Sequence, residues 1–404
     1  MTMAENKDEK VLNVPPLRFP EFVGEWKVEQ LDSIATLSKG VGISKEQLSE
    51  EGEPCILYGE LYTKYKSEII KQIESKTDID CSKLKRSKAN DVIIPCSGET
   101  AVDIATARCV PFDNILLGGD LNIISLHQYD GAFMSYQLNG KRKFDIAKVA
   151  QGVSVVHLYG EHLKTIKTYN PSLQEQCKIA KLLSLLDERI ATQNKIIEKY
   201  ESLIQAISQS VLCPNEDWKE YNLCDLAEIK SGYSGTQIHS KTKYAVSRIE
   251  TISKHCIDMS RVGYVKEIPS EYKMNVGDIL FSNINSVQYI GNTAYVDKEY
   301  NLYHGMNLLR IIPNTSVVAS RFLHLLLCAN KTIRHFQTIC NKAVSQASIN
   351  QASLGKTKLH IPSMVTQKQI CAVFECIESR LNLENYYRKQ LRQQKSFLLR
   401  QMFN

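Results

Sequence analysis

"PSLQEQCKIAKLLSLLDERIATQNKIIEKY", Pro171 to Tyr200, is answered 191 residues later by "PSMVTQKQICAVFECIESRLNLENYYRKQ", which begins at Pro362. The match runs without a gap through Pro171/Pro362, Gln176/Gln367, Ile179/Ile370 and Ile190/Leu381. In the first copy Ile179, Leu183, Leu186, Ile190, Ile197, Tyr200, Ile204, Ile207 and Val211 recur in steps of four and three, and Gln193 alone interrupts them. That spacing is an a/d seam, the pattern by which one helix packs along another. In the second copy Ile370, Phe374, Ile377 and Leu381 continue to Leu391, Leu398 and Met402. Glu384, Arg388 and Lys395 fall on seam positions there, so this seam weakens toward its C-terminus. Pro at the start, with Ser beside it, marks where each helix begins. A helix of about 40 residues spans about 60 Å.

The duplication extends beyond the helices. Trp26 opens "WKVEQLDSIATLSKGVG" and, 192 residues on, Trp218 opens "WKEYNLCDLAEIKSGYSG", aligning Leu31/Leu223, Ala35/Ala227 and Gly40/Gly232. "NDVII" at Asn90 answers "GDILF" at Gly277, and "GGDLNIISL" at Gly118 answers "YHGMNLLRI" at Tyr303. The chain therefore reads as two copies of one unit. A tail at 1–19 precedes a variable region at 20–170 and a helix at 171–212; a second variable region at 213–361 precedes a second helix at 362–404. Short β-branched runs such as "DVIIPC", "NIISL", "TAYVD" and "NLLRIIP", bounded by Gly, Asn, Asp and Pro, make each variable region mixed α/β. "ASRFLHLLLCANKTIRHFQ", from Ala319, predicts one amphipathic helix in the second. If the two seams satisfy each other within the chain, the simplest arrangement is an antiparallel coiled coil with the variable regions at opposite ends. An intermolecular coiled coil is the alternative.

With 404 residues, the chain is long enough for two domains. Its 43% hydrophobic and 23% charged residues exclude a disordered or collagen-like chain. No apolar run approaches the ~20 residues that cross a bilayer, and the polar start lacks a signal-peptide core, so a cytosolic protein is expected. The 12 cysteines are scattered without a CxxC pair and read as small buried hydrophobes rather than metal ligands. A net charge of +6 is compatible with a nucleic-acid partner.

Sites of catalysis have no support in the motifs. No GxGxxG follows a strand, and neither GxxxxGK[ST] nor HExxH occurs. "NPSL" at Asn170 lacks the second Pro and the aromatic residue of an amino-methyltransferase motif. The Glu-x-Lys triplets at Glu25 and Glu271 have no Pro-Asp suitably upstream. His157 and His162 stand five apart, off one helical face, and read as solvated or core histidines.

Binding chemistry remains. "SKGVGISKEQ", "YGELYTKYKS" and "KLKRSK" in the first variable region, and "IKSGYSGTQIHSKTKY" and "FSNINSVQYIGN" in the second, interleave basic and amide side chains with Tyr and Gly. Lys and Arg neutralise phosphates, while Asn, Gln and Arg hydrogen-bond base edges. Candidate DNA contacts are Lys39, Lys45, Tyr62, Lys64, Lys85 and Arg86 in the first region. In the second they are Lys230, Tyr233, Thr236, Gln237, Lys241, Asn283, Asn285 and Gln288. A competing reading is a coiled-coil adaptor or oligomerisation protein with two protein-binding domains.

Over nearly its whole length the chain resembles the specificity subunit of type I restriction-modification systems. The features that carry this are a variable domain opening at a Trp, then Pro-x-x-x-Glu-Gln-x-x-Ile leading an apolar seam, then both again, ending in "FLLRQMF". The resemblance implies two target-recognition domains, each reading half of a split, asymmetric sequence in double-stranded DNA, with the helix pair setting the spacer. It implies no catalytic site and no cofactor on this chain. S-adenosylmethionine, ATP and magnesium would sit on partners: two methylation subunits and two restriction/translocase subunits, in the cytoplasm of a bacterium or archaeon. Gln176, Ile179, Leu183, Leu186, Ile190, Gln367, Ile370, Phe374, Ile377 and Leu381 are the expected spacer and docking residues. Thr366 stands where the first copy has Glu175, which marks a place where two docking surfaces would differ.

Overall fold

The computed structural model describes residues 13–152, 155–253, 255–342 and 346–403; residues 1–12 of the expected tail lie outside these. The chain divides into two compact units, Met1–Lys195 with Tyr386–Asn404, and Ile196–Asn385.

In the first unit β1 (Lys27–Gln30) pairs antiparallel with β6 (Lys167–Asn170). Between them lie β2 (Ala35–Lys39), β3 (Asp91–Pro95), β4 (Arg108–Val110), β5 (Leu121–Leu126) and the helix α1 (Gly131–Asn139). The strands form an antiparallel sheet in the order β2-β5-β3-β4. Every residue of β3 is buried, because its alternating side chains fill two cores. Val92 and Ile94 pack with Met134 and Leu138 of α1, while Ile93 joins Ile123 and Leu117 on the other face. A smaller mixed sheet holds Ser75–Thr77, Glu53–Ile56, Leu116–Leu117 and Lys85–Arg86.

The second unit repeats this plan. β7 (Lys219–Asn222) pairs with β12 (Lys358–Ile361). β8 (Ala227–Ser231), β9 (Ile279–Phe281), β10 (Thr293–Tyr295) and β11 (Leu309–Pro313) form the sheet β8-β11-β9-β10, again antiparallel. Asn90 and Gly277, which precede β3 and β9, both take positive φ, 80° and 95°. Asn and Gly are the residues that accept this left-handed turn readily. The helix expected from Ala319 is in fact two, α2 (Ser320–Cys328) and α3 (Asn330–Ile339), with Ala329 extended between them. The break turns Phe336 inward, edge-on to Phe281 at 5.0 Å between ring centres.

Both long helices form, the central one over Leu173–Val211 and the C-terminal one over Met364–Gln401. In the first unit Ile179, Ala180 and Leu183 share a core with Trp26, Phe133 and Tyr136, and with Met402 and Phe403 from the chain's end. In the second, Ile370, Cys371 and Phe374 share a core with Leu212, against which Ile204, Ile207 and Val211 pack. In each unit the start of one long helix thus lies beside the end of the other, the antiparallel intrachain seam expected from the repeat. The fold is mixed α/β, with two similar domains and this helix pair.

Lys395, a defect when the seam is read from sequence alone, is an internal ion pair. Its ammonium bonds Glu68, lies 2.6 Å from Asp187, and sits 5.6 Å from the Tyr136 ring centre. Glu384 is likewise buried and takes Arg380 at 2.6 Å.

Candidate nucleic-acid interface

Each domain is fastened to its long helix in one way. Ser172 and Ser363 accept the backbone N–H of Glu175 and Thr366, both at 3.3 Å, and cap the helix starts. One turn in, Gln176 Oε1 accepts the Asp130 N–H at 2.9 Å, and Gln367 Oε1 accepts the Ala319 N–H at 2.7 Å. Asp130 and Ala319 are the residues just before α1 and α2. Each glutamine also donates from Nε2 to the proline carbonyl that opens its own helix, at 2.9 and 3.0 Å. Both are 1% exposed. Trp26 and Trp218 complete the clasp, each with a phenylalanine of α1 or α2 at 5.9 Å.

The seam residues differ in burial. Ile179, Leu183, Leu186, Ile370 and Phe374 are buried, and Ile190, Ile377 and Leu381 half-buried. The buried ones pack within this chain together with the two glutamines, while Ile190, Ile377 and Leu381 keep part of their surface open. Glu175 corrects the sequence reading too. It is buried, takes Arg18 in two bonds of 2.7 Å and accepts Trp26 Nε1 at 3.3 Å. Thr366 meets the neighbouring Ser363 hydroxyl at 3.0 Å. The Glu175/Thr366 difference therefore sets a buried anchor in the first unit against a half-exposed threonine in the second.

Of the candidate contacts in the first unit, Lys39, Lys45 and Lys85 point into solvent without an ion-pair partner among the described residues. Lys39 ends β2 and its ammonium lies 5.7 Å from the ring centre of Tyr159. Tyr159 is 45% exposed, stacks on His157 at 6.2 Å and meets His162 edge-on at 5.6 Å. Tyr62, half-buried, donates to the Ser97 carbonyl at 3.1 Å, and burial pushes its hydroxyl pKa well above the usual range. Ser97 pairs with His157 across a two-residue ladder. A contiguous patch of Lys39, Tyr62, His157, Tyr159 and His162 results. Cation, imidazole and exposed ring side by side suit a phosphate next to a stacked base. The sequence reading dismissed both histidines and missed Tyr159; "HLYGEH" at His157 was the available signal, and only the fold places it at Lys39.

Lys64 is exposed, but its ammonium is engaged 2.8 Å from the buried Glu60 carboxylate and 2.6 Å from Ser75 Oγ. Arg86 makes two bonds to Glu53, at 2.5 and 2.9 Å. This pair is exposed, and such pairs are worth about 0–1 kcal/mol, so a phosphate can replace the carboxylate at small cost.

In the second unit Lys230 pairs with Glu228 at 3.1 Å on the surface. Tyr233 is half-buried against Tyr272 at 5.4 Å, which makes it a support, while Thr236 and Lys241 are exposed. Gln237 is half-buried, with no hydrogen-bond partner for Oε1 among the described residues. Asn283 donates to the Ile349 carbonyl at 3.3 Å, and Asn285 donates to Ser282 Oγ at 3.1 Å and accepts the Ser286 N–H at 2.8 Å. Gln288 is exposed beside Tyr289, itself 50% exposed. These residues form two groups, around Tyr233 and around Gln288.

The same scaffold twice, with dissimilar polar surfaces, defines a recognition protein, and comparison supplies the class. The family described as Type I restriction modification DNA specificity domain matches residues 24–202 and again 215–393. The chain belongs to that family, as a non-catalytic DNA-recognition subunit. It is 37% identical over 194 residues to a putative type I restriction enzyme MjaX specificity subunit of Methanocaldococcus jannaschii, an alignment that spans 46% of each chain. It is 22% identical to the MjaVIII specificity subunit of the same organism, over 97% of this chain and 95% of that one. Its fold matches the crystal structure of a type I restriction-modification S subunit from M. genitalium, with TM-score 0.63, 17% identity and coverage of 97% and 99%. It also matches a chain from a structure on complex assembly and conformational transition of the type I R-M system, with TM-score 0.58, 14% identity and coverage of 95% and 98%.

Proposed function

We propose that each unit reads one half of a bipartite, asymmetric target in double-stranded DNA, and that the paired long helices set the spacer and dock two methylation subunits. Directed by this chain, those subunits methylate adenine N6, and two ATP-dependent restriction/translocase subunits join them. S-adenosylmethionine, ATP and magnesium belong to the partners, and the complex works in the cytoplasm. The observation that carries this reading is the repeated glutamine clasp. It fastens two differently surfaced domains to one helix pair, and a rigid separation between readers fixes the distance between half-sites.

Methylome sequencing of a host with and without the gene, partners expressed, tests it. One bipartite N6-methyladenine motif should vanish on deletion; an unchanged methylome refutes the reading and favours an adaptor. In a complemented strain, one heptad inserted after Gln193, with a matching heptad in the C-terminal helix, should lengthen the spacer and keep both half-sites. Altered half-site letters would count against the spacer role.

A further inference from the structure

In the second unit three metal-ligating atoms converge from two distant stretches of chain. His324 and Cys328 stand four apart on α2, on one face of the helix. His255 precedes the strand Cys256–Ile257 and takes a left-handed φ of 62°. Cys328 Sγ lies 3.4 Å from His255 Nδ1 and 3.4 Å from His324 Nε2. All three ligand atoms fall within 4.8 Å of one another. Bond lengths of about 2.3 Å to sulfur and about 2.0–2.1 Å to nitrogen in a tetrahedral zinc site put sulfur and nitrogen about 3.5 Å apart. We propose that His255, His324 and Cys328 bind one Zn²⁺ ion, with water in the fourth position, and that this ion clasps the Ile252–Ser253/Cys256–Ile257 hairpin to α2.

The repeat shows what such a clasp replaces. At the positions matching His324 and Cys328 the first unit has Ser135 and Asn139. Asn139 locks α1 to the start of β4 with two bonds of 2.8 Å to the Ala107 backbone. In the second unit that pair of bonds is absent among the described residues, and Cys328 meets β10 through the Thr293 hydroxyl at 3.2 Å. His2Cys is a borderline-soft ligand set of the kind zinc takes.

The metal-free site has a definite proton arrangement. Arg321 lies 2.8 Å from His324 Nδ1 and can only donate, so the neutral ring carries its proton on Nε2. Binding moves that proton to Nδ1, turns Arg321 toward Glu378, to which it is already bonded, and releases the thiol proton to solvent. One proton leaves per ion bound, so affinity rises about tenfold per pH unit below the thiol pKa. The rival arrangement is a metal-free chain of hydrogen bonds through the thiol.

Cobalt(II) titration of the full chain, stripped with chelator and kept reduced, distinguishes the two. The expected result is one equivalent bound, with tetrahedral d–d absorption and thiolate-to-cobalt charge transfer, reversed by zinc. His255→Asn, which tolerates the left-handed backbone, should weaken binding at least tenfold, and Cys328→Ser should remove the charge-transfer band. Cys224→Ser, at an exposed thiol, should change neither. No uptake, uptake without thiolate charge transfer, or equal uptake by His255→Asn overturns the proposal. If Cys328→Ser fails to fold, His255→Asn decides alone, since that ring is on the surface.

Discussion

Lys395 lies 2.6 Å from Asp187, joining the C-terminal helix to the central helix inside the first unit. Glu68 from the recognition domain shares the same ammonium. Burial raises the Glu68 pKa above the ordinary carboxylate range while Lys395 opposes the rise, so one cation holds two carboxylates in place. Lys395→Met leaves both uncompensated and should cost about 3–5 kcal/mol. The loss should shrink as pH falls, because Glu68, whose pKa burial raises, can then take up a proton. Denaturant titrations at pH 7 and pH 5 check both statements.

Gln176→Ala and Gln367→Ala each strand a helix-terminal N–H in a half-buried site. Each should destabilise its own unit by about 1–3 kcal/mol. The two tryptophans, one per unit, allow the readout. In a Trp26→Phe background Trp218 reports the second unit, and Trp218→Phe reverses the view. A loss seen equally by both probes would contradict unit-by-unit anchoring.

His304 makes the second unit sensitive to acid. It is 1% exposed, its Nε2 lies 3.0 Å from the Leu308 carbonyl oxygen, and burial lowers its pKa to about 4. In the unfolded chain the value returns to about 6.5. Between these values the unfolded state binds a proton that the folded state refuses. This contribution is therefore fully present above pH 6.5 and lost as pH falls toward 4, by about 3 kcal/mol. His304→Gln should flatten the difference between urea titrations at pH 7 and pH 5.

On the DNA side, Tyr159→Ala should cost about 1–3 kcal/mol of binding if a base stacks there. Lys39→Ala should lower the slope of log affinity against log salt by about 1. Both residues are exposed, so thermal stability should not change. Lys64→Ala should do the reverse, lowering stability through Glu60 with little effect on DNA affinity. Fluorescence anisotropy with the complete methylation complex measures all three.

Much of the architecture was legible because it is periodic or repeated. The four-and-three spacing from Ile179 names a helix seam from local rotation alone, and the 191-residue echo at Pro362 supplies its partner. The matched pairs Asn90/Gly277 and Trp26/Trp218 carried the same conformation or contact in both units. The candidate interface was legible only in part. Lys39 was chosen by type, but the ring beside it is 120 residues away, and no periodicity links them. Lys64 was chosen for the same reason as Lys39, yet its charge belongs to Glu60.

The sequence by itself determined the duplication, the two long helices and the mixed α/β character of what lies between them, since each follows from local spacing and self-similarity. Only the tertiary structure decided which polar groups are spent inside. Gln176 and Gln367 clasp, Lys395 neutralises buried carboxylates, and Glu175 meets Arg18 across 157 residues. The physical reason is that a buried polar group must find its partner wherever the fold brings one within about 3 Å, and that distance is set by the packing of remote segments, which spacing along the chain does not record.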